Sequence, residues 1–114
     1  LLIDADKNHD TGWNGYDFLI GKKVLDDKTT TLMRADANSA ENPWVDREQV
    51  AYRYAGKGIE IAVPRKSLEL NGDALAFDFH WCDNPADLKD AISLCTDGDS
   101  APNRRFNYRC IWKK

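Results

Sequence analysis

Long apolar runs are missing from this sequence: hydrophobic residues follow one another only a few at a time. A membrane-spanning helix needs about 20 in succession. No basic, apolar, small-residue leader pattern opens the chain, so any export signal would lie upstream of residue 1. An excess of positive charge is missing too. The 16 basic residues face 19 acidic ones for a net charge of −3, which argues against nucleic acid and anionic membrane surfaces as partners. Cysteine is sparse. Cys82, Cys95 and Cys110 cannot all pair within the chain and none has the CxxC spacing of a zinc or redox site. Free, partly buried thiols are therefore favoured over a single disulfide. Catalytic signatures are absent: there is no HExxH, GxSxG, Walker loop or GxGxxG. Asp78 and His80 share a strand face, but without a partnered nucleophile they read as a solvated surface, and the chain is not read as an enzyme.

What is present is a 114-residue chain, 42% hydrophobic and 31% charged with the two signs interspersed, which suits one soluble globular domain over 1–114. Its dominant period is two. In LAFDFHW, Leu75, Phe77, Phe79 and Trp81 alternate with Ala76, Asp78 and His80. The same pattern places Ile59, Ile61 and Val63, then Val50, Tyr52 and Tyr54, then Phe106, Tyr108, Cys110 and Trp112 on single faces. Of these, Phe77, Phe79, Trp81, Ile59, Ile61, Phe106 and Tyr108 are predicted to face inward. Turn residues separate the segments at Asn14-Gly15, Gly56-Lys57-Gly58, Asn71-Gly72-Asp73 and Asp97-Gly98-Asp99. The pair Gly56 and Gly58 marks a hairpin, and PRKSLEL supports one helical turn with Pro64 at its first position and Leu68 folding back onto the sheet. About eight strands with almost no helix point to an all-β fold, an antiparallel β-sandwich. Leu1, Leu2 and Ile3 already read as mid-strand, which suggests the later part of a longer chain, with upstream strands outside it.

The first loop, DADKNHDTGWNG, holds the densest polar chemistry. Asp4, Asp6, Asn8 and Asp10 recur at every second residue, a spacing at which hard oxygen donors can wrap Ca²⁺, and Asp17 could close the site from the next strand. It is not an EF-hand loop, because His9 stands where that motif needs glycine and Gly15 where it needs a bidentate glutamate. The alternative is a capped turn, the Asp and Asn side chains bonding nearby backbone N–H groups or the arginines of RRFNYR. Both readings stand at this point. Trp13, beside Asn14-Gly15, falls outside any alternating strand, and Trp44 in ENPWVDRE has the same setting. A ring in a polar loop suits a pyranose face, with Asn14 as hydroxyl partner, or else folds down as a lid on the sheet. Arg104, next to Arg105, could grip a carboxylate such as that of a uronic acid, or pair with Asp97 and Asp99. Trp81 and Trp112 lie in strand alternation and read as packing.

The strings IDADKNHDTGWNGYDFLI, IAVPRKSL, FDFHWCDNP and GDSAPNRRFNYR resemble the family 9 carbohydrate-binding-module-like (DOMON-like) domains attached to glycan-active enzymes and surface proteins of Bacteroidetes. Residues 28–46 match nothing in that pattern. Cys82 and Cys95 stand where small or polar residues are expected, and the sugar-clamping tryptophan pair of the founding modules cannot be aligned to particular tryptophans. The resemblance implies a jelly-roll β-sandwich in an extracellular, cell-surface or periplasmic setting that binds carbohydrate without catalysis. The alternative is a structural spacer packed against a catalytic glycoside hydrolase domain.

Overall fold

The computed structural model describes residues 1–36, 38–39, 41–83, 89–90, 99–102 and 107–113. Its organising element is a short one: β1 (Leu2–Asp4), three residues buried throughout. Antiparallel partners flank it on both sides. Leu2 and Ile3 stand opposite Leu19 and Phe18 of β2 (Phe18–Val24), and Leu2, Ile3 and Asp4 stand opposite His80, Phe79 and Asp78 of β6 (Ala74–Asp83). From β2 the sheet continues through β3 (Thr29–Ala35), β4 (Trp44–Ala55) and β5 (Gly58–Ala62). On the other side β7 (Asp99–Ala101) pairs with Trp81–Asp83, and β8 (Tyr108–Lys113) pairs with Ala74–Phe79. Every pairing is antiparallel, so the eight strands form one all-β sheet.

Strand alternation sends the central side chains to two separate clusters. Leu2, Leu19, Met33 and Trp44 gather with Tyr16 on one face, and Trp13 packs against them from the loop between β1 and β2. Ile3, Phe18, Ile20, Leu32 and Val50 gather on the other, closed at one end by Leu68 and flanked by Ile61, Val63, Phe77 and Phe79. That second cluster draws on β5 and on β6, strands separated by four others in the sheet order, so the sheet must curl around it. The result is an open half-barrel rather than two visibly separate layers. A right-handed twist and the register shift in β2 between Ile20 and Val24 both favour such curling.

Several sequence expectations are met. The hairpin turns at Gly56-Lys57-Gly58, with Ala55 opposite Gly58. A 3-10 turn spans Arg65–Leu68 and buries Leu68 to 6% exposure, although Pro64 caps it in an extended conformation instead of forming its first residue. Phe77, Phe79 and Ile61 pack on the inner cluster as predicted. Ile59 and Tyr108, on the outermost strands of the curl, remain 37% and 49% exposed, although the Tyr108 ring lies 5.5 Å from that of Phe79, and Trp112 on β8 is equally open, with the Arg65 guanidinium over its ring. Phe106 and Cys95 lie outside the described residues. Cys82 and Cys110 are free thiols.

The predicted solvated face of β6 is the clearest correction. Asp78 and His80 are buried to 7% and 1% exposure. Alternation located their face correctly, but the loop after β1 folds back over it, bringing the Tyr16 ring to 6.3 Å from His80.

Phe18 is fully buried in the inner cluster and pairs directly with β1. Phe18→Ala is expected to cost about 3–5 kcal/mol in urea unfolding, the usual range for a large core aromatic.

Candidate functional site

The loop between β1 and β2 is built from its own polar side chains. Asp17 Oδ2 accepts from the backbone N–H groups of Ala5, at 2.9 Å, and Asp6, at 3.3 Å. Asn8 N–H donates to Asp4 Oδ1 and to Asp6 Oδ1, and the Thr11 hydroxyl donates to the Asp6 carboxylate. Gly12 is required here: its φ is +64°, and a Cβ would collide with the carbonyl of Tyr16. The chain then reverses through a two-residue hairpin, Trp13 N–H donating to Tyr16 O and Tyr16 N–H to Trp13 O, with Asn14 and Gly15 both at positive φ. This turn aims Trp13 down onto the sheet.

The tryptophans expected to hold sugar therefore meet each other. Trp13 and Trp44 have ring centroids 5.6 Å apart at 58°, with Trp13 half-buried and Trp44 at 1% exposure. Trp44 offers no ring face to a ligand in this arrangement. It opens β4 beside Ala35 and fills the cluster over Leu2, so the platform role expected of it is corrected to packing. Asn14 is exposed at the hairpin tip, and Arg104 lies outside the described residues.

Of the expected metal ligands, the fold brings together Asp4, Asp6 and Asp17, one carboxylate oxygen of each lying within 4.8 Å of the others. Asn8 is used differently, its Oδ1 accepting from Asp10 N–H in the turn. Burial pushes the Asp4 carboxyl above the ordinary carboxylate range, and the Asp6 and Asp17 side chains push it the same way against the opposing N–H of Asn8. Asp17 is raised for the same first reason, burial, despite the N–H groups it accepts from. Next along the strand pair the balance reverses. Arg109 Nε and Nη2 grip Asp78 at 2.7 and 3.0 Å, and this bidentate pair holds Asp78 below the ordinary range.

A second feature was not singled out from the sequence. The curl leaves a cleft of about 380 Å³ lined by Tyr52, Tyr54, Ile59, Ile61 and Trp81, with Thr30, Lys22 and Asp83 among its polar walls. β4 is the reason. Its ladder with β3 ends at Ala51, with Tyr52 N–H still donating to Lys28 O, so the tip of the β4–β5 hairpin, Arg53–Ala55 and Gly58–Glu60, projects past β3. Tyr54 is 74% exposed, its ring edge-on to Tyr52 at 5.7 Å, and the Tyr52 hydroxyl donates to Asp26 O. The available signal was a second Tyr two residues along a strand that runs into a glycine turn, where burial by a neighbouring strand ends.

Compared with known proteins, the chain matches no family model, no curated protein and no solved structure.

Because Asp78 is held low by Arg109, its contribution to stability is fully present above the ordinary carboxylate range and is lost as pH falls through the lowered folded-state value. Arg109→Met should lower the melting temperature at neutral pH, because Asp78 is then left without its bidentate partner. It should also flatten the acid limb of a melting-temperature profile, at and below the ordinary carboxylate range of about pH 4, since Asp78 then loses the cause of its lowered value.

Proposed function

We propose that this domain binds carbohydrate without catalysis, and that the cleft inside the curl takes the glycan. The observation that carries the reading is the set of aromatic rings around one open cleft: Tyr52, Tyr54 and Trp81, beside the polar side chains of Lys22, Thr30 and Asp83. Aromatic faces cover the apolar C–H faces of a pyranose, and polar groups of both donor and acceptor type bond its hydroxyls. The described residues hold eight antiparallel strands, and the setting that the family 9-like resemblance implies is extracellular, cell-surface or periplasmic. On this reading Trp13, packed against Trp44, and Asn14 lie on the opposite face of the sheet from the glycan.

A second reading has its own observation. Ile59, Tyr108 and Val24 leave apolar surface along the inner side and rim of the half-barrel. Closing that side with a further layer gives the two-layer jelly-roll sandwich, and the domain then serves as a spacer packed against a catalytic partner.

Glycan-array screening of the 114-residue chain, followed by titration calorimetry, separates the two. Binding in the millimolar to micromolar range is expected, about −4 to −8 kcal/mol. Tyr54→Ala and Trp81→Ala should each weaken it tenfold or more, and Tyr54→Ala should leave the melting temperature unchanged because that ring is mostly in water. A chain that binds no glycan but self-associates or binds an apolar dye through the inner side supports the spacer instead.

A further inference from the structure

We infer that Asp4, Asp6 and Asp17 form a Ca²⁺ site that fastens the loop between β1 and β2 onto the sheet. This inference is independent of the carbohydrate reading, because the three carboxylates lie on the face of Leu2, opposite the cleft. An acidic cluster alone would not carry it. The second observation is Asp4 itself: it is completely buried, and its Oδ2 has no hydrogen-bond partner. A buried carboxylate oxygen left without a partner is costly, and a carboxylate in the central strand of a sheet is costlier still unless a cation or proton neutralises it. Among the described residues no basic side chain forms an ion pair with any of the three aspartates. The two arginines whose charge reaches the cluster, Arg34 at Asp17 and Arg109 at Asp4, are ion-paired with Glu69 and Asp78. Lys7, inside the loop, turns its ammonium to the carbonyl of Ala76.

The geometry suits a large, hard cation. Oxygens around Ca²⁺ sit at about 2.3–2.6 Å from the ion, so two ligands of one ion are separated by at most about 5 Å. The three carboxylate oxygens lie within 4.8 Å of one another, inside that limit. All three donors are carboxylate oxygens, the choice of Ca²⁺ rather than of zinc or copper, and Mg²⁺, which gives up its waters reluctantly, is poorly suited to a site supplied by several protein carboxylates. The remaining bonds of Asp6 and Asp17 also fit: their N–H and hydroxyl donors fix the orientation of each carboxylate, as partners of metal ligands do. Occupied, the site ties the end of β1, the start of the loop and the residue before β2 to one point. The loop it fastens is the one that covers His80 and Leu2 with Tyr16 and Trp13.

The test uses calcium chloride alone on the 114-residue chain after chelation. Millimolar Ca²⁺ is expected to raise the melting temperature by roughly 10 °C, as saturation at a hundred times the dissociation constant does for a domain of this size. Mg²⁺ should do markedly less. Calcium should also slow tryptic cleavage after Lys7, a local readout of loop closure. Asp6→Asn removes one charge from an exposed position and keeps an acceptor for Thr11, so this variant should fold while binding Ca²⁺ at least tenfold more weakly. Two results overturn the inference. One is calorimetry showing no Ca²⁺ uptake with no change in melting temperature. The other is an Asp4→Asn variant that is more stable than the parent chain under chelation while calcium stabilises neither, which makes Asp4 a proton-bearing carboxyl. Neither result touches glycan binding in the cleft.

Discussion

A buried carboxylate at the end of a strand flanked on both sides is the constraint on which the rest of this structure turns. Leu2 and Ile3 each bury a full apolar side chain, worth about 1.5–3 kcal/mol apiece, on opposite faces of the sheet. The next residue, Asp4, must bury its charge in the same ladder, directly opposite Asp78. Two aspartates facing each other across a strand pair repel unless both are neutralised. Asp78 is answered by the bidentate Arg109 from β8. Asp4 is answered by backbone N–H groups of the loop, that of Asn8 foremost, while its two acidic neighbours oppose its charge, so the loop chemistry follows from where the strand places it.

That loop in turn decides what each face of the sheet becomes. By folding back through the Trp13–Tyr16 hairpin it roofs the face carrying Leu2, Leu19 and Met33, and it dries the neighbourhood of His80 and Asp78. No equivalent segment among the described residues covers the far end of the other face. There the sheet closes on itself instead, with Leu68 plugging one end and the β4–β5 hairpin overhanging the other. Covering one face with a loop and the other by curvature explains how a single sheet holds two clusters. It also explains why the exposed rings collect on one side only.

The strands and their turns were legible because each has a local cause: alternation in LAFDFHW and VAYRY, positive-φ residues in the turns, a buried leucine after PRKS. Which face of a strand is wet was not legible. Asp78 and His80 look solvated by composition, and they are buried because a loop some sixty residues earlier lies across them, a long-range fact that no local period encodes. The same limit governs the tryptophans. Trp13 and Trp44 share a polar setting in sequence, yet an Asn-Gly turn rotates the first onto the second, and register against Ala35 buries the second at the start of β4. The gathering of Asp4, Asp6 and Asp17 was legible in part, since two lie at alternate positions and the third heads the adjoining strand. The diversion of Asn8 into a turn depended on backbone detail.

The placement of these groups on opposite faces separates two duties that the opening stretch seemed to combine. Asp4, Asp6 and Asp17 sit under the loop, where their partners are backbone N–H groups of the same segment, so substitutions there act first on loop closure and stability. Tyr52 and Tyr54 sit on a hairpin held mainly by β4–β5 pairing, outside both clusters, so substitutions there act first on surface chemistry. The Trp13 hairpin belongs with the first group: its ring rests on Trp44, and its turn is fixed by Asn14 and Gly15. The stretch DADKNHDTGWNG therefore works as the fastening of the sheet, and the glycan recognition proposed for this domain belongs to the open side of the curl.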